Sequence, residues 1–154
     1  MKGIHGLVLA AAGLWLLAGC GASGPLFSTM EKDVPSIDPG AGRLFFYRDG
    51  SALGAAVTAD IKLNGEVVGA SQRSSVFFVD RPPGSYTVTC STEATNEITL
   101  ALAAGDTMYV RTFVTMGFFV GHVVPELVHA QTGAPAIKDL HYTGKVPAGA
   151  TGGP

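Results

Sequence analysis

Val57-Thr-Ala-Asp-Ile-Lys-Leu63 runs without a break into Asn64-Gly65 and then Glu66-Val-Val-Gly69. Val57, Ala59, Ile61 and Leu63 fall on one side of an extended chain and Thr58, Asp60 and Lys62 on the other, the alternation of a half-buried strand. Asn64-Gly65 is the pair that a two-residue type I′ turn selects, because both central residues need positive φ. The stretch predicts a β-hairpin.

The same rhythm continues outward. Arg43-Leu-Phe-Phe-Tyr-Arg48 is short, aromatic and apolar on both faces, which suits an inner strand. Ser75-Val-Phe-Phe-Val79 leads to Asp80-Arg-Pro-Pro-Gly84, where the prolines fix φ and the glycine permits reversal, so Ser85–Ser91 is expected to run back beside it. Asn96–Leu102 directs Ile98, Leu100 and Leu102 inward; Ala104-Gly105-Asp106 turns; Thr107–Met116 is the longest strand. Phe118–Val124 reads as one more, with a short helix expected at Glu126–Ala130 or at Ala136–His141. Strands about every ten residues with turn signals between them predict a mainly β domain, a β-sandwich over residues 43–142.

The order Arg43-Leu-Phe-Phe-Tyr-Arg48, Ile61-Lys-Leu-Asn-Gly65 with Val68-Gly69, Phe77-Phe-Val-Asp-Arg-Pro-Pro-Gly84 and Ala104-Gly-Asp-Thr-Met-Tyr-Val-Arg111 resembles the domain-of-unknown-function family DUF2846. The resemblance spans roughly Gly42 to Leu140 and departs at Met108-Tyr109, where a second aromatic would be expected. It implies a small bacterial lipoprotein or exported protein and brings no known chemistry. Similar turn-and-strand patterns occur in immunoglobulin-like and carboxypeptidase-regulatory-like sandwiches, so the resemblance bears on architecture more than on activity.

Upstream, Met1 and Lys2 precede a run from Gly6 to Gly19 without an ionisable side chain, the layout of a signal peptide. Leu17-Ala-Gly-Cys20 is similar to the lipobox of lipoprotein precursors. That likeness implies cleavage before Cys20, a diacylglycerol on its thiol and often a further acyl chain such as palmitate on its amine. Gly21 rather than Asp at the second mature position implies the outer membrane, facing the periplasm. The run is too short and too rich in Gly and Ala for a spanning helix, which needs roughly 20 apolar residues. Gly, Ser, Pro and scattered charge over residues 20–42 read as a flexible tether, and residues 143–154 as a disordered tail.

Processing would leave nine basic against twelve acidic residues, net −3. Nucleic acid is therefore a poor partner, since phosphate binding needs clustered Lys and Arg. With Cys20 acylated, Cys90 has no disulfide partner, and it shares a strand face with Tyr86 and Val88, where it is expected as a buried filler. Arg43, Arg48, Arg73 and Arg81 are expected as solvated strand-edge charges, with contact to anionic glycan or lipid headgroups as the alternative. Arg111 in the longest strand argues against a membrane span there.

Enzyme motifs are missing: there is no Gly-x-Ser-x-Gly elbow, His-Glu-x-x-His, phosphate loop or Cys-x-x-Cys, and no cofactor signature. His122, Glu126 and His129 would share a face if helical, a zinc set for a metal-dependent hydrolase, but Pro125 lies inside the segment and opposes the helix. Consecutive aromatics in a strand cannot both face one core, so one of Phe118 and Phe119 is expected to be covered by the C-terminal segment, with an exposed anchor for a protein partner or lipid as the alternative. The sequence thus predicts an envelope lipoprotein displaying a non-catalytic binding or scaffold module, held to membrane lipid through Cys20, with an envelope protein or glycan as its partner.

Overall fold

A computed structural model of the chain describes residues 21–119 and 121–145. Cys20, the expected signal peptide over residues 1–19 and the part of the expected tail beyond Lys145 lie outside the described residues.

The strands are β1 Gly42–Arg48, β2 Ala59–Leu63, β3 Glu66–Ser71, β4 Ser75–Arg81, β5 Gly84–Ser91, β6 Thr95–Leu102, β7 Thr107–Thr115, β8 His122–Val128 and β9 His141–Tyr142. They form a five-stranded sheet, β8-β7-β1-β4-β9, facing a four-stranded sheet, β3-β2-β5-β6. The expected mainly β sandwich is the fold found. Asn64 and Gly65 take φ of 50° and 86°, as the type I′ turn requires.

Strand β1 is the inner strand that its two apolar faces predict, paired antiparallel with β4 and parallel with β7. Leu44 and Phe46 point into the sandwich, where Phe46 stacks on Phe77 with ring centroids 5.2 Å apart. Phe45 points the other way and meets Tyr109, Phe78 and Phe27 at 5.2, 5.5 and 5.6 Å. That second face is covered by a third layer: a short helix α1 (Phe27–Met30), a 3-10 turn (Glu31–Asp33) and helix α2 (Ala130–Ala136). Gly133 lets α2 lie directly on Tyr109, where an added Cβ would come within 2.4 Å of the ring.

Several expectations are corrected here. Residues 21–34 do not form a free tether. Phe27 and Met30 are buried, and the backbone is tied down by Ala22 N–H to Arg73 O at 3.0 Å and Phe27 N–H to Leu140 O at 2.8 Å. Two apolar side chains in a polar segment are too few for a periodic signal, yet together with α2 they cover the aromatic face of β1.

Pro82-Pro83 makes no hairpin, because β4 and β5 lie in opposing sheets and the turn carries the chain across the sandwich. The helix falls at Ala130–Ala136, between the two positions expected for it. Strand β8 begins at His122 rather than Phe118 and runs through Pro125, which is tolerated because β8 is an edge strand and the missing N–H faces away from the ladder. Among the described residues no helix is long and apolar enough to cross a membrane.

Candidate functional site

The pairings place the connections at two ends. Residues 49–58, 72–74, 92–94 and 116–121 gather at the Arg48 end; 64–65, 82–83 and 103–106 gather at the Gly42 end.

Four arginines were expected at solvated strand edges, and two are buried. Arg43 grips Asp80 through two hydrogen bonds of 2.7 Å and lies over the Phe78 ring at 4.2 Å. Arg48, only 1% exposed, points between the sheets and donates to the carbonyls of Val57, at 2.6 Å, and Gly54. Burial is the main reason its pKa falls below the ordinary arginine value. A guanidinium nonetheless keeps its proton at neutral pH, so the β1–β2 connection is held by a buried cation. Neither arginine is available to a glycan or headgroup. Arg73 and Arg81 are half-buried; Arg73 donates to Gly50 O at 2.9 Å, and Arg81 reaches Glu66 at 3.5 Å.

His122, Glu126 and His129 are not brought together. In an extended strand residues four apart are separated by roughly 13 Å, and His129 follows the strand's end. His122 instead pairs with Glu93 at 3.3 Å, and Glu126 pairs with Arg111 at 2.8 Å. Among the described residues no group of three His, Cys, Asp or Glu could hold a metal ion. Cys90 sits in the core as expected, fully buried, and burial pushes its thiol pKa up to about 12. As a protonated thiol it is a poor nucleophile at neutral pH.

Two apolar surfaces stand out among the described residues. One is an open groove of about 570 Å³ on the flank between β3 and β4, floored by Val67, Val68, Phe77 and Tyr142, with Arg81 and Lys145 beside it. The other is the β7–β8 connection at the Arg48 end. The expected cover is not found and neither ring enters the core: Phe118 is 89% and Phe119 87% exposed, and Met116 beside them 81%. The C-terminal segment covers neither, because it runs from the Gly42 end through α2 to β9 at the opposite edge of the sheet. The two rings pack edge to face, with centroids 4.8 Å apart. The loop's base is fixed by Glu93, which accepts the Phe119 N–H at 2.9 Å.

The described chain enters at this same end. Gly21 is bridged to Arg73 in the β3–β4 connection, and strand spacing puts Arg73 about 10–15 Å from the β7–β8 loop. Charge and sidedness at that end were not legible in the sequence, since they depend on which connections the sheet order gathers.

A family model described as a protein of unknown function (DUF2846) matches residues 38–123, which run from before β1 to the start of β8 and include the aromatic loop. No curated protein and no solved structure matches the chain.

Proposed function

The chain belongs to the DUF2846 family, and from that premise we propose that it is an envelope lipoprotein, cleaved before Cys20, acylated there, and carrying its β-sandwich as a non-catalytic binding or scaffold module. The observation that carries this reading is the adjacency of two features. Leu17-Ala-Gly-Cys20 has the pattern of a lipoprotein processing site, and the next residue, Gly21, is already strapped to the sandwich at Arg73. A trans peptide fixes neighbouring Cα atoms 3.8 Å apart, so an acyl chain on Cys20 would hold the domain against the bilayer rather than on a long leash.

The module reading is supported by the commitments of the side chains a hydrolase would need, His122 to Glu93 and Glu126 to Arg111. The partner in this reading is an envelope protein or glycan, and the flank groove beside Arg81 and Lys145 is the concave surface available to it. In this reading Gly21, rather than Asp, at the second mature position favours the outer membrane, with the domain in the periplasm.

Mass spectrometry of the native product tests the anchor: the expected first residue is Cys20 carrying acyl chains. Labelled palmitate should enter the wild-type chain and not Cys20→Ala, which should leave the membrane fraction. An intact leader or an unmodified Cys20 overturns the reading.

A further inference from the structure

We infer that the β7–β8 loop is a second membrane contact, with Phe118 and Phe119 inserted into the interface of the bilayer that holds Cys20, so that the sandwich stands on its Arg48 end. The inference rests on the anchor reading above and adds an orientation to it.

Three observations carry it. Large hydrophobic side chains are not spread evenly over the surface. Of the seven that are exposed among the described residues, Leu53, Met116, Phe118 and Phe119 belong to connections at the Arg48 end, and these four line one shallow depression together. Their end is the end at which Gly21 enters, about 10–15 Å away across the sheet. The tip Met116-Gly-Phe-Phe-Val-Gly121 also carries no charged side chain, so immersing it buries no ion.

The shape favours lipid over a protein partner. Protein hot spots sit in desolvated pockets ringed by a rim that excludes water, whereas the two rings are almost fully exposed at a shallow, open depression. Aromatic side chains are enriched where hydrocarbon meets headgroups. The acyl chains on Cys20 already make membrane residence stable, so what the loop adds is orientation. A fixed loop base at Glu93 and a peptide-bonded anchor at Gly21 would give the domain two points of attachment, enough to restrict its tilt. The Gly42 end then faces away from the membrane.

A tryptophan reporter tests this cleanly, because the sole tryptophan, Trp15, lies in the leader and is lost on processing. Phe119→Trp is placed in the full precursor and the processed protein is purified from membranes. After mass spectrometry of Cys20, it is reconstituted into phosphatidylethanolamine–phosphatidylglycerol vesicles with and without brominated acyl chains. Val67→Trp, in β3 near the Asn64-Gly65 turn, is the control. The expected result is blue-shifted emission from position 119 that loses most of its intensity to the brominated lipid, with position 67 unquenched. Water-like emission from 119 on acylated protein overturns the insertion and leaves the anchor standing. Shielding of 119 only in native membranes, with a crosslink to another protein, overturns it in favour of a protein contact. An unmodified Cys20, read from the mass and not from the fluorescence, overturns the anchor and this orientation with it.

Discussion

At the Gly42 end the turns are built from residues beside them, whereas at the Arg48 end short local turns at 72–74 and 92–94 stand beside one connection organised by a core side chain and one that leaves two rings exposed. Asn64 shows the first mode. Its φ of 50° and the bond from Thr87 N–H to its side-chain oxygen, at 2.8 Å, are supplied by residues next to the turn or one strand away. Asp106 does the same by accepting Ala103 N–H at 2.9 Å. Arg48 shows the second mode, since one guanidinium organises the β1–β2 connection from inside the core. The β7–β8 loop is tied at its base, where Glu93 accepts the Phe119 N–H, yet its two phenyl rings lie in water. Turns that satisfy themselves fold in place, and connections that do not must be held by the core or by something outside the chain.

Replacing Arg48 is the strongest way to break that contrast. Arg48→Met should destabilise the domain by about 2–3 kcal/mol, because it strips the Val57 carbonyl of its charged donor and leaves Gly54 O with the Val57 N–H alone, and a hydrogen bond to a charged group is worth roughly 1.5–3 kcal/mol. Urea denaturation reads the loss, and amide exchange should localise the loosening to residues 49–58. An unchanged midpoint would mean that the connection holds itself.

A smaller effect is expected at the opposite end. Asn64→Ala removes the bond to Thr87 and leaves a side chain that tolerates positive φ poorly, for about 1–2 kcal/mol by the same measurement.

Between the ends, Cys90 reports on the core through pH. The model thiol value is 9.0, and burial pushes it to about 12 in the folded chain. From pH 9 toward 12 the unfolded chain has lost a proton that the folded chain keeps, so rising pH favours unfolding. This contribution is fully present below pH 9 and is lost as pH climbs toward 12, on the order of 1 kcal/mol at pH 10. The buried Tyr142 hydroxyl, also pushed up to about 12, works in the same direction. Urea midpoints at pH 8 and pH 10 should differ more in the wild type than in Cys90→Ala.

The smallest stability change belongs to the largest exposed side chains. Phe118→Ser and Phe119→Ser, singly, should shift stability by no more than about 0.5 kcal/mol, as surface positions do. A clear loss would show that the rings support the sandwich and are not free for a membrane.

The alternation around Asn64-Gly65, the two apolar faces of Arg43–Arg48, the inward run of Ile98, Leu100 and Leu102 and the burial of Cys90 were all legible from the chain. Each depends on side chains two residues apart or on one turn, and such periods survive any arrangement of the sheets. Partners were not legible. The crossing at Pro82-Pro83, the parallel pairing of β1 with β7, the passage of β8 through Pro125 and the docking of Phe27 on Phe45 depend on residues distant in sequence. The same holds for the candidate site. The sequence named Phe118 and Phe119 as a candidate contact and Cys20 as the attachment point, each by a local pattern. Only the tertiary structure decided that both rings are bare, that Arg48 lies inside, and that Gly21 and the aromatic loop share one end, because the order of strands in a sheet determines which connections become neighbours.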